Sequence, residues 1–580
     1  MRPRQALLAL LVLLTASGCA AIPTATSPIA VNTSAGRATK TAAIQPARDI
    51  DPLTLVREFV NATADPEDGY AAAKAYLTDA AKESWNTRST PTIIDPTFNT
   101  VPTGLGAEDD DGARTVLLQG KKVGRLQLED NSFVELVGNV DTAIGVARDA
   151  DGQWRISQPP DGIYVPQGGF NQHYRRVTLF FWNSDFSVLV PDPRYVVVAP
   201  STSIPYRVTQ LLLKGPAVAL RGALVSAVPN GAEQRNNTTE ADDGALEVDL
   251  TKVGDITAAV RRKAVAQVVK SLTGVSSSRI RVLVEGQPIL AEREEWRSAD
   301  VDTGEALTTP GAGLTGMLLT GGRLRRVNGE QVAGPAGTGE YQAVSAAQSL
   351  DGNRLAVVGR VGEGSVRLRV GGVNDGLGQV DLAATSMTRP TWVPSGQQDE
   401  PSGEVWTVVD RTNVVRVVAT ETGWTARTVN ASELALHGPI TELRLSRDGT
   451  RVAAVAGGRL LVAAVVRGQD SAVTLRSPRN LQPSLVGATA LSLDWLAQDV
   501  LVVSTSLASW PIAKITVDGL GIERYNTSNL TAPVTSVTAA PGRNVLAVDQ
   551  SGLWSAGDVA DVWRASPTEV DRATQVFYPG

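Results

Sequence analysis

A serine, an Asp-Gly pair and a strand-like run recur in the C-terminal half of the chain, and this pattern restricts the fold more than any other feature. Residues 349–357 read SLDGNRLAV, and residues 446–454 read SRDGTRVAA. Asp-Gly favours tight hairpin turns because such turns need positive φ, which glycine adopts at little steric cost. The apolar residues after each turn are typical of β-strands. The segment is therefore predicted to consist of many short hairpins.

Related turns extend this pattern over the last 270 residues. They occur at Val393-Pro394-Ser395-Gly396, at 494–499 and at 540–544. Taking positions 351, 395, 448, 498 and 541 as markers gives steps of 44, 53, 50 and 43 residues, close to the length of a four-stranded blade. Residues 310–580 are therefore predicted to form an all-β propeller of five or six blades, with a β-sandwich array as the alternative. The turns resemble those of periplasmic propellers of the TolB kind.

The N-terminus has the three regions of an export signal. Arg2 and Arg4 precede an apolar run from Ala6 to Leu14, and small residues continue to Gly18. As a helix the apolar run spans about 14 Å, roughly half of the hydrocarbon core of a bilayer. Residues 1–18 are therefore predicted to be a signal peptide and not a membrane anchor.

Cys19, the only cysteine, directly follows this signal. The small residues before it resemble a bacterial lipobox, in which the thiol receives diacylglycerol before cleavage leaves cysteine as the first residue. The sequence departs from that pattern at Ala16, where leucine is preferred. Cys19 is predicted to carry S-diacylglyceryl and N-acyl groups, and two acyl chains hold a protein stably on a membrane. The alternative is an ordinary secretory cleavage site beside a free thiol.

Residues 19–49 are predicted to be the lipidated cysteine and a flexible tether, because prolines among small residues leave no periodic apolar face. A tether of this length places the folded body roughly 30 Å from the bilayer. The predicted location is the cell membrane, with the lipid-anchored domains on the extracytoplasmic side.

Residues 50–165 combine helical patterns with later strand patterns. Asp51 and Pro52 form an N-cap and first-turn pair, and a second helical stretch is expected from Pro66 to Trp85. Strands are expected at 115–118, 124–128, 133–137 and 154–157. This order resembles the nuclear-transport-factor-like (NTF2-like) fold, so an α+β domain is predicted. The acidic run at 108–111 is interpreted as a solvated loop, because consecutive carboxylates cannot all face one calcium ion.

Residues 170–300 alternate strand and helix patterns. Strand-like segments at 177–182, 187–191 and 195–198 precede a helix that a Gly215-Pro216 pair ends. A second helix is expected from about Thr257 to Leu272 and a closing strand at 280–284. The second helix has an apolar face of Val260, Ala264, Val265, Val268, Val269 and Leu272, and a polar face of Arg261, Arg262, Lys263, Gln267 and Lys270.

Short motifs within this unit carry a resemblance to a known module. They are Leu189-Val190-Pro191, Leu211-Leu212-Leu213-Lys214-Gly215-Pro216, Val228-Pro229-Asn230-Gly231 and Glu247-Val248-Asp249-Leu250. In this order they resemble the GerMN module of envelope lipoproteins. The resemblance implies an α/β domain that brings no catalytic residues.

Composition excludes several kinds of site. Two histidines and one cysteine cannot build zinc fingers, iron–sulfur clusters or intrachain disulfides. The net charge of -6 lacks the basic excess that nucleic acids select, so no nucleic-acid partner is expected. No metal, cofactor or catalytic residue is predicted.

Other motifs have structural interpretations. The G-x-G-x-x-G match at 311–316 lacks the preceding strand and following helix of a dinucleotide site, so it is interpreted as the linker into the propeller. His173 and His437 are assigned structural or surface roles instead of a place in a serine triad. The chain is therefore predicted not to be an enzyme, although carboxylate pairs leave a propeller glycosidase as a less favoured alternative.

The order of lipobox, tether, α+β domain, GerMN module and propeller resembles the LpqB family of actinobacterial lipoproteins over nearly the whole chain. The resemblance implies an accessory protein that binds the extracytoplasmic region of the MtrB sensor histidine kinase. It would modulate the MtrA/MtrB phosphorelay, which controls cell division and envelope homeostasis. The alternative hypothesis is that the GerMN module or the propeller binds a cell-wall glycan or another envelope ligand.

Overall fold

The computed structural model of the protein describes residues 46–103, 113–394, 403–468, 470–483, 490–571 and 573–580. The signal peptide, Cys19 with most of its tether, the acidic run at 108–111 and the Ser395-Gly396 turn lie outside these residues. Among the helices in the described ranges, none is long and apolar enough to cross a membrane.

The first domain begins with a helix that its own sequence caps. The Asp51 carboxylate accepts hydrogen bonds from the N–H groups of Leu53 and Thr54, at 3.0 and 3.1 Å, as expected for an N-cap before Pro52. The helices and strands of this domain are α1 (Pro52–Ala62), α2 (Ala71–Lys74), α3 (Asp79–Ser84), β1 (Pro91–Ile94), β2 (Asn99–Pro102), β3 (Arg114–Leu126), β4 (Phe133–Glu135), β5 (Asn139–Arg148), β6 (Trp154–Gln158), β7 (Ile163–Pro166) and α4 (Gln167–His173).

The prediction of a single helical stretch from Pro66 to Trp85 is wrong. A 3₁₀ turn at Glu67–Gly69 and the short helices α2 and α3 occupy this segment. Tyr70 adopts positive φ between them, and its buried ring packs edge-on against Trp85, with centroids 5.7 Å apart. A left-handed residue cannot continue an α-helix, so this tertiary contact divides the segment.

One long strand organises the sheet of the first domain. The sheet has the order β6-β5-β3-β1-β7, and β2 and β4 also pair with β3. Only β1 and β7 are parallel to each other. The strands expected at 115–118 and 124–128 are therefore parts of the same strand, β3, which ends at Leu126. Helices followed by a mostly antiparallel sheet confirm the α+β class.

The second domain has two sheets. Its elements are β8 (Tyr174–Asn183), β9 (Leu189–Val197), α5 (Ile204–Leu213), β10 (Leu224–Val225), β11 (Glu233–Gln234), β12 (Thr239–Glu240), β13 (Leu246–Thr251), α6 (Ala258–Thr273), β14 (Ile280–Val284), β15 (Gln287–Pro288) and β16 (Glu295–Trp296). One sheet has the order β10-β8-β9, and the other has β11-β13-β14-β15 with β12 and β16 paired to its central strands. Helix α6 connects the parallel strands β13 and β14, which confirms the α/β class.

Two expectations for this domain need correction. The segments 187–191 and 195–198 lie on a single strand, β9, whose two prolines are tolerated because β9 is at the edge of its sheet. Gln267 does not lie on a solvated face of α6. Its side chain is fully buried, where it accepts from the N–H of Ala227 and donates to Ser226 Oγ.

The first two domains are continuous. Strand β8 starts directly after α4, and Tyr174 on β8 stacks on Phe170 at a centroid distance of 4.7 Å. Tyr195 on β9 contacts Phe170 and Phe133. Both tyrosines belong to the hydrophobic core of the first domain. The second domain therefore extends into the first without a free linker.

The C-terminal domain is a propeller of six blades. Its strands are β17 (Met317–Thr320), β18 (Arg323–Arg326), β19 (Ala343–Gln348), β20 (Arg354–Arg360), β21 (Val366–Gly372), β22 (Gly378–Gln379), β23 (Thr391–Trp392), β24 (Glu404–Val409), β25 (Asn413–Thr420), β26 (Gly423–Thr428), β27 (Ile440–Leu445), β28 (Arg451–Ala456), β29 (Arg459–Arg467), β30 (Val473–Asn480), β31 (Ala490–Ala497), β32 (Val500–Thr505), β33 (Ile512–Thr516), β34 (Ile522–Arg524), β35 (Ser536–Thr538), β36 (Val545–Val548), β37 (Leu553–Ala556), β38 (Arg564–Ala565) and β39 (Gln575–Phe577). Two one-turn helices accompany them, α7 (Pro335–Thr338) and α8 (Ser432–Ala435).

Blades 1 to 5 are the consecutive four-stranded sheets from β19 to β38, and blade 6 has the order β18-β17-β39. The last strand of the chain thus completes a blade that the first strands of the propeller began. The markers at 351, 448, 498 and 541 all lie in the turn between the first and second strands of a blade. Gly352 and Gly449 have φ of 81° and 74°, as the Asp-Gly turns require. The 311–316 segment leads into β17 with no helix after it, which confirms its interpretation as a linker.

Candidate functional site

The lipidation site predicted at Cys19 precedes the described residues and stays a prediction. In the part of the chain that the structure describes, blades 3 and 4 contact the first two domains. We call this region the domain junction. It comprises Asp130, Phe133 and Glu135 of the first domain, Arg176, Leu189, Pro191, Asp192, Arg194 and Tyr195 of the second, and Arg451, Arg479, Gln482, Gln498, Asp499, Asp518 and Gly519 of the propeller.

The centre of the domain junction is an ion pair between strand β8 and blade 4. Arg176 Nε donates to Asp518 at 2.7 Å, and its Nη2 donates to Asp499 at 2.9 Å. Tyr195 Oη donates to the same Asp518 carboxylate at 3.2 Å. Burial alone would raise the pKa of Asp518, but Arg176 and hydrogen bonds hold this pKa below its ordinary value. Asp518 is therefore ionised and fully paired at neutral pH.

Backbone contacts extend the domain junction along strand β9. Arg451 Nη2 donates to the carbonyl of Pro191 at 2.7 Å, and Gln498 Nε2 donates to the carbonyl of Leu189 at 3.3 Å. Both acceptors belong to the Leu-Val-Pro motif that carried the GerMN resemblance. This motif therefore positions the propeller against the second domain.

A buried pair within β9 joins the first two domains. Arg194 contacts Asp192 and donates from Nε to the carbonyl of Asp130 at 2.7 Å. The Asp192 and Asp130 carboxylates accept the N–H groups of Ala217 and Val218, at 2.9 and 2.8 Å. These two residues directly follow the Gly215-Pro216 stop of α5. The helix stop therefore places two backbone donors on buried acids from both domains.

Glu135 lies where the first domain contacts blades 3 and 4. Its carboxylate accepts the N–H of Gln482 at 2.8 Å, and Arg479 donates to the carbonyl of Phe133 at 3.2 Å. Gly519 has a φ of 83°, which favours glycine, and a Cβ at this position would lie 2.9 Å from Glu135 Oε2. Burial, reinforced by Asp518, raises the pKa of Glu135 to about 8 against the opposing effects of Gln482 and Arg479.

Raising the pH is expected to weaken the domain junction through Glu135. Because the folded pKa of about 8 exceeds the ordinary 4.5, the folded state binds this proton more tightly. The contribution of this proton to the free energy of unfolding is present in full below about pH 4.5, and it is lost as the pH rises from there through 8. One proton limits the slope to about 1.4 kcal/mol per pH unit. The unfolding temperature is measured at pH 5, 7 and 9. It should fall less between pH 5 and pH 9 for Glu135→Gln than for the unchanged protein.

Glu421 supplies the matched control, because it lies exposed on a turn of blade 2. Glu421→Gln should keep the original dependence of unfolding temperature on pH. If Glu135→Gln also keeps it, Glu135 does not titrate in this range and the assigned cause is wrong.

A second region of interest is the central cavity of the propeller, which we call the funnel. It has a volume of about 400 Å³ and receives residues from all six blades. The lining residues are Val344, Ser345, Met387, Thr388, Arg389, Thr441, Glu442, Arg444, Leu491, Ser492, Thr535, Ser536, Ala573, Thr574 and Gln575. Most of these side chains are polar, and hydroxyl groups are the commonest kind.

Arg389, Glu442 and Arg444 line the funnel, and Asp494 and Arg447 lie next to them outside its lining. Arg389 and Arg447 flank Asp494, at 3.4 and 3.8 Å, and Arg444 pairs with Glu442. Burial, with the nearby Arg389 charge, lowers the pKa of Arg444 to about 9 despite the two acids. Burial would raise the pKa of Asp494, but the three arginines hold it below the ordinary value. Positive charge therefore exceeds negative charge in this group.

The other residues singled out in the sequence lie away from both regions. His173 ends α4, where its Nδ1 is 3.8 Å from the Asp65 carboxylate, and His437 lies in the turn after α8. Basic residues of α6 have local partners: Lys263 donates to the carbonyl of Phe186, and Arg262 to Glu292. Across the described ranges, no cluster of three or more His, Cys, Asp or Glu side chains is arranged to hold a metal ion.

Sequence reasoning missed Arg176 and Asp518, which form the central ion pair of the domain junction. Asp518 belongs to a Thr-x-Asp-Gly turn at 516–519, in which Thr516 Oγ1 donates to Asp518 at 2.5 Å. The Ser446 hydroxyl donates to Asp448 in the same way at 2.6 Å. Extending the search from Ser-x-Asp-Gly to Thr-x-Asp-Gly would have found Asp518. No local pattern distinguishes Arg176 from its exposed neighbour Arg175.

Three family models match consecutive parts of the chain. "Lipoprotein LpqB, N-terminal domain" matches residues 45–171, "Sporulation and spore germination" matches 178–290, and "Lipoprotein LpqB beta-propeller domain" matches 322–579. Among solved structures, the tandem GerMN domains of the sporulation protein GerM from Bacillus subtilis align at 17% identity and a TM-score of 0.18. This alignment covers 23% of this chain and 48% of that one.

Relatives cover nearly the whole chain. Lipoprotein LpqB of Rhodococcus opacus (strain B4) is 32% identical over 556 residues, which are 92% of this chain and 90% of the relative. Lipoprotein LpqB of Mycolicibacterium smegmatis is 30% identical and covers 96% of this chain and 95% of its own. With three domain matches in the same order and full-length relatives, this chain belongs to the LpqB family of membrane-anchored lipoproteins.

Proposed function

We propose that this lipoprotein is an accessory regulator of a two-component sensor histidine kinase of the MtrA/MtrB type, affecting cell division and envelope homeostasis. Lipidated Cys19 holds it on the extracytoplasmic side of the cell membrane, where it binds the sensor region of the kinase. The observation that carries the proposal is the domain junction, which joins three domains through buried ion pairs and backbone hydrogen bonds. Membership of the LpqB family supports the same function.

A rigid body suits regulation by contact. A regulator shifts a kinase between two conformations only by the difference in its affinity for them, and equal contacts shift nothing. Arg176, Arg194 and Arg451 each connect two domains of the body. A contact made through one domain therefore fixes where the other two lie beside the kinase. Such a body is expected to favour the kinase conformation whose surface fits it.

Anchoring both proteins on one membrane lowers the affinity that this contact needs. The flexible tether predicted from the sequence of residues 19–49 would span roughly 30 Å, which would keep the lipoprotein close to the bilayer. Effective concentrations under short flexible tethers reach about the millimolar range. An interface too weak to be detected in dilute solution is therefore occupied when both proteins share a membrane.

The proposed mode of action is contact and not catalysis. A propeller glycosidase needs a carboxylic acid whose pKa is raised, close to a second free carboxylate. Beside the funnel, arginines hold the pKa of Asp494 below its ordinary value, and in its lining Glu442 pairs with Arg444. This environment is the opposite of what the general acid of a glycosidase requires.

The proposal predicts a change in kinase activity when both proteins share a membrane. The full-length kinase is reconstituted in proteoliposomes with or without the full lipoprotein, and autophosphorylation and transfer to the response regulator are followed over time. We expect a change of severalfold in the phosphorylation rate, in a direction the experiment determines. Crosslinking in the same vesicles is expected to join the lipoprotein to the sensor region of the kinase.

Cys19→Ala gives the control for the anchor. Its folded body is unchanged, but without acyl chains it loses the local concentration, so we expect the effect to need about 100-fold more protein or more. A lipoprotein that forms no crosslink to the sensor region, or that leaves phosphorylation unchanged at equal surface density, refutes the proposed function.

A further inference from the structure

The funnel lies on the side of the propeller away from the domain junction. Strand β31 runs from the funnel at Leu491 to the turn at Gln498, which contacts the second domain. Seven residues of extended strand span about 23 Å. Strand β27 runs in the same sense, from Thr441 in the funnel to the turn before Arg451 at the domain junction. The funnel therefore stays open when the three domains are joined.

Polar atoms without partners line the funnel. Ser345 is 4% exposed, and its hydroxyl has no hydrogen bond. Gln575 Oε1 and Arg444 Nε are also buried without a partner. Together they present an acceptor, a donor and a hydroxyl that serves as both. Because an unpaired buried polar group costs about 1–3 kcal/mol, three on one cavity indicate a ligand that pairs with them.

Hydroxyl groups surround these atoms. Ser345, Thr388, Thr441, Ser492, Thr535, Ser536 and Thr574 bring one or two hydroxyls from each blade. Each hydroxyl donates one hydrogen bond and accepts up to two. Six of these hydroxyls also make hydrogen bonds within the protein, and Ser345 makes none. A ligand that is itself rich in hydroxyl groups can pair with Ser345 and with the hydrogen-bonding capacity that the other six keep.

The net charge of the side chains that line the funnel favours a ligand with a single negative charge. Among the described residues that line the funnel, the charged side chains are Arg389, Arg444 and Glu442, and outside the lining Arg447 lies near Asp494. One positive charge is therefore not compensated. A carboxylate supplies one negative charge at neutral pH, and a phosphate monoester supplies about 1.5 to 2. The balance favours a carboxylate, which guanidinium groups bind in a planar, bidentate geometry.

We propose that the funnel is a binding site for a sugar acid, a small ligand with one carboxylate and several hydroxyl groups. The carboxylate lies against Arg389 and Arg444, and the sugar hydroxyls pair with Ser345, Gln575 and the surrounding hydroxyl groups. A cavity of about 400 Å³ accommodates one or two sugar rings. The site does not depend on the proposed contact with a kinase.

Isothermal titration calorimetry of the full chain in detergent tests the site with three probes. D-glucuronate is expected to bind with a Kd between about 10 μM and 1 mM, as is usual for a ligand of this size with few apolar contacts. D-glucose, which has the same ring without the carboxylate, is expected to bind at least tenfold more weakly. Inorganic phosphate is also expected to bind at least tenfold more weakly.

Two variants locate the binding in the funnel. Ser345→Ala removes a hydroxyl that has no protein partner, so the unfolding temperature of the free protein should rise or stay the same, while the Kd for glucuronate rises about five- to tenfold. Arg389→Met should abolish measurable binding, and Arg389→Lys should restore part of it because the charge returns. Arg427→Met, on the exposed outer strand of blade 2, makes the same change outside the funnel and should leave the Kd unchanged.

Three results would overturn the assignment. Absence of glucuronate binding up to about 10 mM in the folded chain means that only water occupies the funnel. Equal binding by the unchanged protein, Ser345→Ala and Arg389→Met places any observed binding elsewhere. Tighter binding of phosphate than of glucuronate shows that the funnel selects a different class of anion.

Discussion

Arg176→Met is expected to destabilise the domain junction by about 2–4 kcal/mol. The change leaves Asp518, whose side chain is 2% exposed, close to Asp499 without its cationic partner. Removing one member of a buried pair costs about 3–5 kcal/mol, and we expect a smaller loss because Arg176 is itself 31% exposed. The first thermal unfolding transition should therefore fall, and hydrogen exchange at 498–521 and 174–197 should rise.

Arg175→Met provides the control on the same strand. Neighbouring strand residues point to opposite faces, and Arg175 is exposed, donating to the carbonyl of Gly274. This variant should change stability by less than about 0.5 kcal/mol. If Arg176→Met has no larger effect than Arg175→Met, the ion pair does not hold the domains together, and the argument for a rigid regulator loses its basis.

Arg447→Met is expected to destabilise the propeller by about 3–5 kcal/mol. Arg447 lies in the first turn of blade 3, and its guanidinium donates to the carbonyls of Trp495 and Ala539, at 2.5 and 2.8 Å. It also reaches the carbonyl of Pro579, at 3.4 Å, and Asp494. One side chain thus connects blades 3, 4 and 5 with the C-terminal segment. Methionine fills similar space but leaves these buried acceptors unpaired.

Chemical denaturation followed by tryptophan fluorescence measures this loss, because Trp495 lies beside Arg447. Hydrogen exchange of β39 should increase as well, since closure of the ring depends on this strand. Arg459→Met, at the exposed start of β29 in the same blade, should leave both measurements unchanged. A loss below about 1 kcal/mol for Arg447→Met would show that the other contacts of β39 are sufficient to close the propeller.

Local chemistry explains why much of the fold was readable from the sequence. Asp51 with Pro52 and the Gly215-Pro216 stop mark helix ends because capping depends on residues only a few positions apart. The Asp-Gly turns at 351 and 448 identify hairpins for the same reason. Regular spacing of such turns then reveals the propeller, since each blade repeats one local pattern.

Expectations failed where distant residues decide the local structure. The segment 66–85 has a helical pattern, but Tyr70 adopts positive φ while its ring packs on Trp85. The 115–128 segment looks like two strands, but one continuous strand, β3, pairs with four others along its length. Gln267 reads as a surface residue of α6, yet it is buried because Ser226 and Ala227 lie beside it in the fold.

The number of blades could not be read from turn spacing alone. Five markers fit five or six blades, and the sixth exists because β39 pairs with β17, more than 250 residues earlier. The funnel has the same origin, since its lining comes from all six blades. No local sequence pattern indicates the pairing of β39 with β17 or the set of residues that line the funnel, because both depend on closure of the propeller ring.

Motifs in the chain were thus sufficient to assign the class of each domain and to single out Cys19, because turns, caps and signal regions are interactions between near neighbours. The domain junction and the funnel required the folded chain. Arg176 and Asp518 are 342 positions apart, and nothing near either residue specifies that they meet. Their pairing follows from burying apolar surface between domains, which brings charges together only once the whole body has assembled.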